Sequence, residues 1–223
     1  MEEVFAVKAR IKFSKTGNVK FIGHLDVMRY FQKLIRRAGL DVKYTQGFHP
    51  HQIMSFTSPL SVGIESVGEY FDIETNSKID PDFAVKALNE HSVSDIQVLK
   101  YVELPDDAKK SMALLAGADY LVDMEFDDRT LVDFLNQETI EVLKKTKKSE
   151  KMVDIKQLIY KVENKNGKTF MQLAHGSVAN LKPGLVLDAL CEFAKVDRPE
   201  YVKMTRLEMY YEKDGKLIPL EEV

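Results

Sequence analysis

The first half of the chain alternates between the hydrophobic periodicities of strands and helices. Apolar and polar residues alternate from Val4 to Phe13, which predicts a strand. Apolar residues then recur at helical spacing from Leu25 to Ala38, and Gly39 follows as a natural residue to end that helix. Shorter apolar runs and turn residues predict the remaining elements, which are strands at Val42–Thr45, Ile53–Thr57, Glu69–Glu74 and Ile96–Val102 and a helix at Pro81–Glu90.

The second half repeats this order of elements without an obvious sequence repeat. The predicted elements are strands at Tyr120–Phe126, Thr139–Lys144, Ile155–Val162, Thr169–Ala174 and Val202–Tyr211 and helices at Asp128–Asn136 and Pro183–Lys195. We therefore predict an α+β protein of two tandem ferredoxin-like (βαββαβ) units with antiparallel sheets. We place these units at residues 1–105 and 117–223, with the boundary between Pro105 and Gly117.

Composition excludes several classes of protein. The chain has 223 residues, of which 44% are hydrophobic and 30% charged, so it is expected to fold around a core. No apolar run approaches the roughly 18 residues of a membrane helix, and the first residues do not resemble a signal peptide, so we expect no membrane association and a cytoplasmic location. Cys191 is the only cysteine, which excludes an internal disulfide and a cysteine-held iron–sulfur cluster, and we predict no cofactor.

Charge is distributed unevenly along the chain. The net charge is −3, but residues 1–60 carry 10 Lys/Arg and 4 Asp/Glu, whereas residues 61–140 carry 6 and 18. The predicted helix at Leu25–Ala38 presents four basic side chains on its polar face: Arg29, Lys33, Arg36 and Arg37. Such a face can follow a phosphate backbone, although a solvated helix surface has the same pattern.

Further candidate residues lie around this helix. His24 stands at its start, where a histidine can contact phosphate or transfer a proton. His49 and His51 flank Pro50, and an extended segment would direct them to the same side. They could contact phosphates or bases or bind a metal, although no spacing fixes further ligands, and we predict no metal site. The predicted RNA-contacting set comprises the four basic residues with His24, Gln46, Phe48, His49, His51 and Ser55, Phe48 supplying a stacking surface.

Four short motifs together resemble one bacterial family. They are Phe21-Ile22-Gly23-His24-Leu25-Asp26, Gln46-Gly47-Phe48-His49-Pro50-His51, Met54-Ser55-Phe56 through Pro59-Leu60, and Gly68-Glu69-Tyr70-Phe71-Asp72-Ile73-Glu74. This set resembles the radical-SAM-associated family, whose members occur as separate proteins or fused to the C-terminus of radical-SAM proteins. The resemblance implies a radical-SAM protein as a separate partner and, by analogy, an accessory role in binding tRNA or rRNA for modification.

A second resemblance concerns the architecture. A histidine at a helix start and the Ser55–Leu60 segment, in a tandem ferredoxin-like chain, resemble RAMP-type RNA-binding proteins and the CRISPR repeat-processing endoribonucleases. This resemblance implies a metal-independent cleavage with His24 as the catalytic residue, although the glycine-rich loop typical of those enzymes is missing. The third alternative is a scaffold that binds the radical-SAM partner through the acidic middle segment and does not bind RNA. An independent enzymatic activity is the less favoured interpretation.

Overall fold

A computed structural model describes residues 6–145 and 150–222 as a mixed α+β structure. The N-terminal half follows the order strand, helix, two strands, helix, strand. Its elements are β1 (Val7–Lys15), α1 (His24–Arg37), β2 (Met54–Phe56), β3 (Glu65–Thr75), α2 (Pro81–Glu90) and β4 (Ile96–Leu104). The predicted start of the first strand at Val4 lies outside the described residues.

The C-terminal half has the same order with an additional hairpin. Its elements are α3 (Ser111–Leu114), β5 (Leu115–Val122), α4 (Asp128–Leu135), β6 (Glu141–Lys145), β7 (Glu150–Asp154), β8 (Ile159–Asn164), β9 (Thr169–Ala174), α5 (Pro183–Ala194), β10 (Met204–Lys213) and β11 (Lys216–Pro219). The strands β6 and β7 form a separate two-stranded sheet between α4 and β8. None of the described helices combines the length and apolar composition needed to cross a bilayer.

The remaining strands form one sheet that runs through both halves in the order β4-β1-β3-β10-β5-β9-β8, and β11 pairs with β10 outside this order. The strand β2 pairs with β3 on the edge that β10 also uses. Each half therefore has the ferredoxin-like order, in which the first and third strands pair at the centre. The two sheets join where Thr205 and Arg206 of β10 pair in parallel with Glu65 and Ser66 of β3.

Each half buries its helices in a hydrophobic cluster on one face of the sheet. In the N-terminal half, Phe31 of α1 and Leu88 of α2 pack with Phe13 and Phe71 of the central strands. The Phe13 and Phe31 rings meet edge to face, with centroids 4.6 Å apart. Because α1 is apolar along only one side, this packing leaves its basic side in solvent.

Two strand predictions are wrong in their details. Residues 42–45 do not form a continuous strand. Val42 forms an isolated bridge with Thr75 and Tyr44 forms one with Gln52, so the segment does not pair with one neighbouring strand along its length. The strand predicted from Ile155 begins only at β8, after a short 3-10 turn. The carboxylate of Asp154 accepts hydrogen bonds from the Ile140 and Lys156 amides, 2.9 and 3.0 Å away, and so fixes that turn.

Two further corrections concern the first strands of the C-terminal half. The strand predicted at Tyr120–Phe126 is shifted toward the N-terminus, because β5 begins at Leu115 and ends at Val122. The strand predicted at Thr139–Lys144 corresponds to β6, which pairs only with β7 and does not join the main sheet.

Candidate functional site

The α1 face, which we define as Arg29, Lys33, Arg36 and Arg37, is exposed along its whole length. Arg29 donates to Asp26 at 3.3 Å, and Arg37 donates to the His91 carbonyl at the same distance. Arg36 donates to the Gln32 carbonyl of its own helix at 3.2 Å. These contacts are weak in solvent, so all four cations remain accessible to an anionic ligand.

Loop 46–51 lies beside the C-terminal end of α1 and is closed at its base. The amide of Thr45 donates to the His51 carbonyl at 2.8 Å, and the His51 amide donates to the Thr45 hydroxyl at 3.1 Å. Gly47 has φ of +113°, a conformation that side-chain-bearing residues rarely adopt. The loop therefore presents a fully exposed Phe48 ring at its tip, with Gln46 and His49 exposed beside it.

A groove connects the α1 face to loop 46–51. It is lined by Gln32 and Arg36 of α1 and by Tyr44, Pro50, His51 and Gln52. The Gln52 side chain donates to the Gln32 carbonyl at 3.3 Å and ties the base of the loop to the helix. The structure therefore brings Arg36 and His51 together, with a cation and an imidazole on one groove.

His24 lies at the opposite end of α1, about 18 Å from Arg36 at the rise of an α-helix. It lines a small pocket with Lys15, Ser58 and Glu69, and its ring meets Phe56 edge to face at 5.6 Å. Partial burial and then the charge of Lys15 lower the pKa of His24. The imidazole is therefore neutral at pH 7 and able to accept a proton.

Ser55 lies apart from the other predicted contact residues. It pairs with Asp72 of β3, whereas its neighbours Met54 and Phe56 pack with the helix-covered core. Since successive residues of a strand point to opposite faces, Ser55 is on the sheet face away from α1. The predicted set is thus divided among the α1 face with loop 46–51, the His24 pocket and this opposite face.

A buried polar cluster joins the two halves next to the His24 pocket. We call it the junction cluster, and its members come from both halves: Lys15, Ser58, Glu69, Tyr120, His175 and Arg206. The Arg206 guanidinium lies 3.3 Å from the Glu69 carboxylate and 5.7 Å from the centre of the Tyr120 ring. The His175 Nε2 atom lies 3.0 Å from the Ser58 hydroxyl.

The protonation states of the junction cluster are strongly perturbed. Burial, followed by the nearby Arg206 charge, lowers the pKa of His175 to about 3. Burial raises the pKa of the Glu69 carboxyl, which the Arg206 charge only partly offsets. One polar atom on each of Glu69, His175 and Arg206 is buried without a hydrogen-bond partner among the described residues. The sequence offered no partner for His175, because Ser58 lies 117 residues away.

An exposed aromatic pair adjoins the His24 end of α1 and was not predicted. The Lys20 ammonium lies 5.3 Å from the centre of the Phe21 ring and 5.7 Å from that of Tyr201. Both rings are more than half exposed. Phe21 precedes His24 in one of the motifs, whereas Tyr201 reaches this surface from the other half, which a linear pattern does not reveal. Within residues 6–145 and 150–222, no three His, Cys, Asp or Glu side chains are grouped to hold a metal ion.

The fold defines an α+β protein of two ferredoxin-like units that share one sheet. Residues 8–183 match the family described as "Uncharacterized protein conserved in bacteria (DUF2344)", and the chain belongs to this family.

A solved structure titled "Crystal Structure of a Cbf5-Nop10-Gar1 Complex" contains a chain similar to this one, with a TM-score of 0.47 and 11% sequence identity. The similarity covers 96% of this chain and 53% of that chain, so this chain spans about half the length of its neighbour. A comparison with curated proteins finds no match.

Proposed function

We propose that this protein binds RNA through the α1 face and loop 46–51, as an accessory subunit of a radical-SAM enzyme that modifies tRNA or rRNA. The observation that carries the RNA-binding part is the groove between Arg36 and His51, flanked by the exposed Phe48 ring. Cations along one helix suit a phosphate backbone, and an exposed ring suits an unpaired base. The radical-SAM partner and the choice of tRNA or rRNA rest on the motif resemblance alone.

Binding to a stem–loop RNA, measured by fluorescence anisotropy over a range of salt concentrations, tests this function. Replacing all four residues of the α1 face by alanine should weaken binding and make it less dependent on salt. The slope of log affinity against log salt becomes shallower by about 0.7 to 0.9 for each phosphate that the variant no longer neutralises. A control variant, in which Lys78, Lys86, Arg129 and Lys213 become alanine, removes the same charge from other exposed positions.

Equal weakening of both variants would mean that only net charge matters and would contradict a specific surface. No binding of the unchanged protein at low salt would reject RNA binding altogether. The partner is tested separately by purifying the tagged protein from an extract of its native cells. Recovery of a radical-SAM protein without RNA would favour the scaffold alternative.

The His24 pocket supports a second candidate, a metal-independent endoribonuclease. The neutral imidazole can accept the proton of a ribose hydroxyl. Cleavage of RNA in the presence of a chelator, abolished in His24→Ala but kept in His91→Ala, would support this activity. RNA that stays intact, or cleavage that survives His24→Ala, would reject it.

A further inference from the structure

A pocket of about 300 Å³ lies beneath the segment that connects the two halves. Its floor includes Lys8 of β1, Ser55 of β2 and Glu74 of β3. Lys8 pairs directly with Glu74, while the adjacent pair Ala9 and Ile73 belongs to the core under α1. The floor is therefore the sheet face away from the helices, and we call this site the linker pocket.

The roof of the linker pocket is held in place by two cations of β1. The Lys8 ammonium donates to the carbonyls of Asp106 and Ala108, the latter at 3.3 Å. Arg10 is fully buried, and it donates to the Lys109 carbonyl at 3.4 Å while its Nε atom donates to Asp72 at 2.8 Å. The connecting segment is thus fixed over the sheet.

The charges that line the linker pocket favour an anion. Lys109 and Lys110 are exposed at the roof, and their ammonium groups have no hydrogen bond or ion pair with any residue that the structure describes. Of the two acidic residues in the lining, Asp72 is paired with Arg10, and Glu74 has Lys43 at 3.8 Å. The two unpaired lysines therefore leave the mouth of the pocket positive.

The rest of the lining combines apolar walls with groups that accept hydrogen bonds. Ile53 and Leu104 supply apolar walls, while Ser55 and Glu74 supply oxygen atoms that accept hydrogen bonds from hydroxyls. A volume of about 300 Å³ is at the lower end of the range for small-molecule sites. These properties suit a compact organic phosphate with hydroxyl groups and a flat ring whose faces can pack against aliphatic side chains.

We propose that the linker pocket binds a nucleoside monophosphate, with Lys109 and Lys110 contacting the phosphate and Glu74 and Ser55 contacting the sugar hydroxyls. This site is separate from the proposed RNA surface, because it lies on the opposite face of the sheet from α1. Ser55 cannot contact a ligand bound along α1, because it lies on the other face of the sheet. The linker pocket therefore gives Ser55 a role that the proposed RNA surface does not.

The test uses the full chain and four probes, namely AMP, GMP, CMP and UMP, each at millimolar concentration. Nuclear magnetic resonance of the assigned backbone amides should show that at least one probe shifts the signals of Ser55, Glu74 and Lys110. Replacing Lys109 and Lys110 together by alanine should weaken that binding at least about tenfold, because two charge-assisted hydrogen bonds to the phosphate are removed. A variant with Lys213 and Lys216 replaced by alanine removes two exposed lysines outside the pocket and should bind unchanged.

A second measurement compares each nucleotide with its nucleoside. The corresponding nucleosides, which lack phosphate, should bind more weakly than the nucleotide that binds. No shift with any of the four nucleotides, or shifts confined to Lys33 and Arg36 of α1, would overturn the linker pocket as a nucleotide site. The second result would still agree with RNA binding along α1, so the two proposals fail independently.

Discussion

The guanidinium of Arg206 lies 3.3 Å from the carboxylate of Glu69, and both side chains are buried where β10 meets β3. The backbone ladder between the two strands consists of two parallel residue pairs, Thr205 with Glu65 and Arg206 with Ser66. A buried ion pair beside so short a ladder must contribute to the alignment of the halves. The pair therefore contributes to how the two halves join.

Breaking this pair should strongly destabilise the protein. Arg206→Met leaves the Glu69 carboxyl buried without its cation, and removal of one partner from a buried pair typically costs about 3–5 kcal/mol. Glu69→Gln should also destabilise, and combining the two substitutions should cost clearly less than the sum of their separate effects. Urea unfolding of the unchanged protein, the two single variants and the double variant measures this coupling. Strictly additive changes in the free energy of unfolding would contradict a direct interaction.

Gly68 is required by the close approach of the same two strands. A Cβ atom at this position would lie 2.5 Å from the Leu207 carbonyl oxygen and 2.7 Å from the Glu208 Cα atom, both of them backbone. Gly68→Ala should therefore separate β3 from β10 and destabilise the protein by about 1–3 kcal/mol, as overpacked positions typically do. Thermal and urea unfolding would detect the change.

Gly184 provides the matched control for Gly68. It is the second residue of α5, and nothing stands within 4 Å of a Cβ atom added there. Gly184→Ala should stabilise the protein by up to about 1 kcal/mol, because alanine favours a helix more than glycine does. If both substitutions had the same small effect, the strands would not meet as closely as the structure shows.

Local signals explain which elements the sequence could predict. The helix Pro81–Glu90 and the strand Thr169–Ala174 have the predicted bounds. Asp80 caps the start of that helix by accepting a hydrogen bond from the Phe83 amide at 2.8 Å, and Pro81 is its first residue. Both signals for the helix start therefore lie within a few residues of each other in the sequence. The joining of the two sheets could not be predicted, because it pairs residues about 140 positions apart through a ladder of two pairs.

The residues of the candidate site also divide into those that the sequence could predict and those that it could not. The α1 face was predictable, because its four basic residues recur at helical spacing on one element. The junction cluster was not, because Lys15, Glu69 and His175 become neighbours of Arg206 only when the two halves pack. Ser55 was grouped with its sequence neighbours, but the alternation of a strand places it on the other face.

His175 should make the stability of the protein depend on pH. Its pKa is about 3 in the folded protein and 6.5 for an unperturbed histidine, so the unfolded chain binds more protons between these values. The free energy of unfolding should fall as the pH falls through this window, by at most about 1.4 kcal/mol per pH unit from this residue. Well above pH 6.5, where the histidine is neutral in both states, the contribution should be constant.

Comparison of the protein with His175→Gln isolates this contribution. The groups Glu69 and His24 titrate in both proteins, so their effects largely cancel in the difference between the two free energies of unfolding. That difference should shrink as the pH is lowered from about 7 to about 4. The control is His91→Gln, which replaces an exposed histidine that is not part of the junction cluster. A difference that does not change with pH would show that His175 is accessible to protons in the folded state.

Phe48 offers the sharpest test of how RNA meets loop 46–51. Its ring is fully exposed at the tip of a loop whose base is fixed by Thr45 and His51, so Phe48→Ala should leave stability unchanged within about 0.5 kcal/mol. If the ring stacks on an unpaired base, the same substitution should weaken RNA binding by about 1–3 kcal/mol. Fluorescence anisotropy with a single-stranded RNA and with a blunt duplex of equal length separates stacking from charge.

The affinity for the single strand should fall in Phe48→Ala, and that for the duplex should remain nearly the same, because a duplex offers few unstacked bases. Phe83→Ala removes another largely exposed ring, on α2 and away from the groove, and should change neither affinity. Equal weakening for single-stranded and duplex RNA would mean that Phe48 supports the shape of the loop rather than contacting a base. Unchanged affinity for both would remove loop 46–51 from the RNA surface and leave the α1 face alone to account for binding.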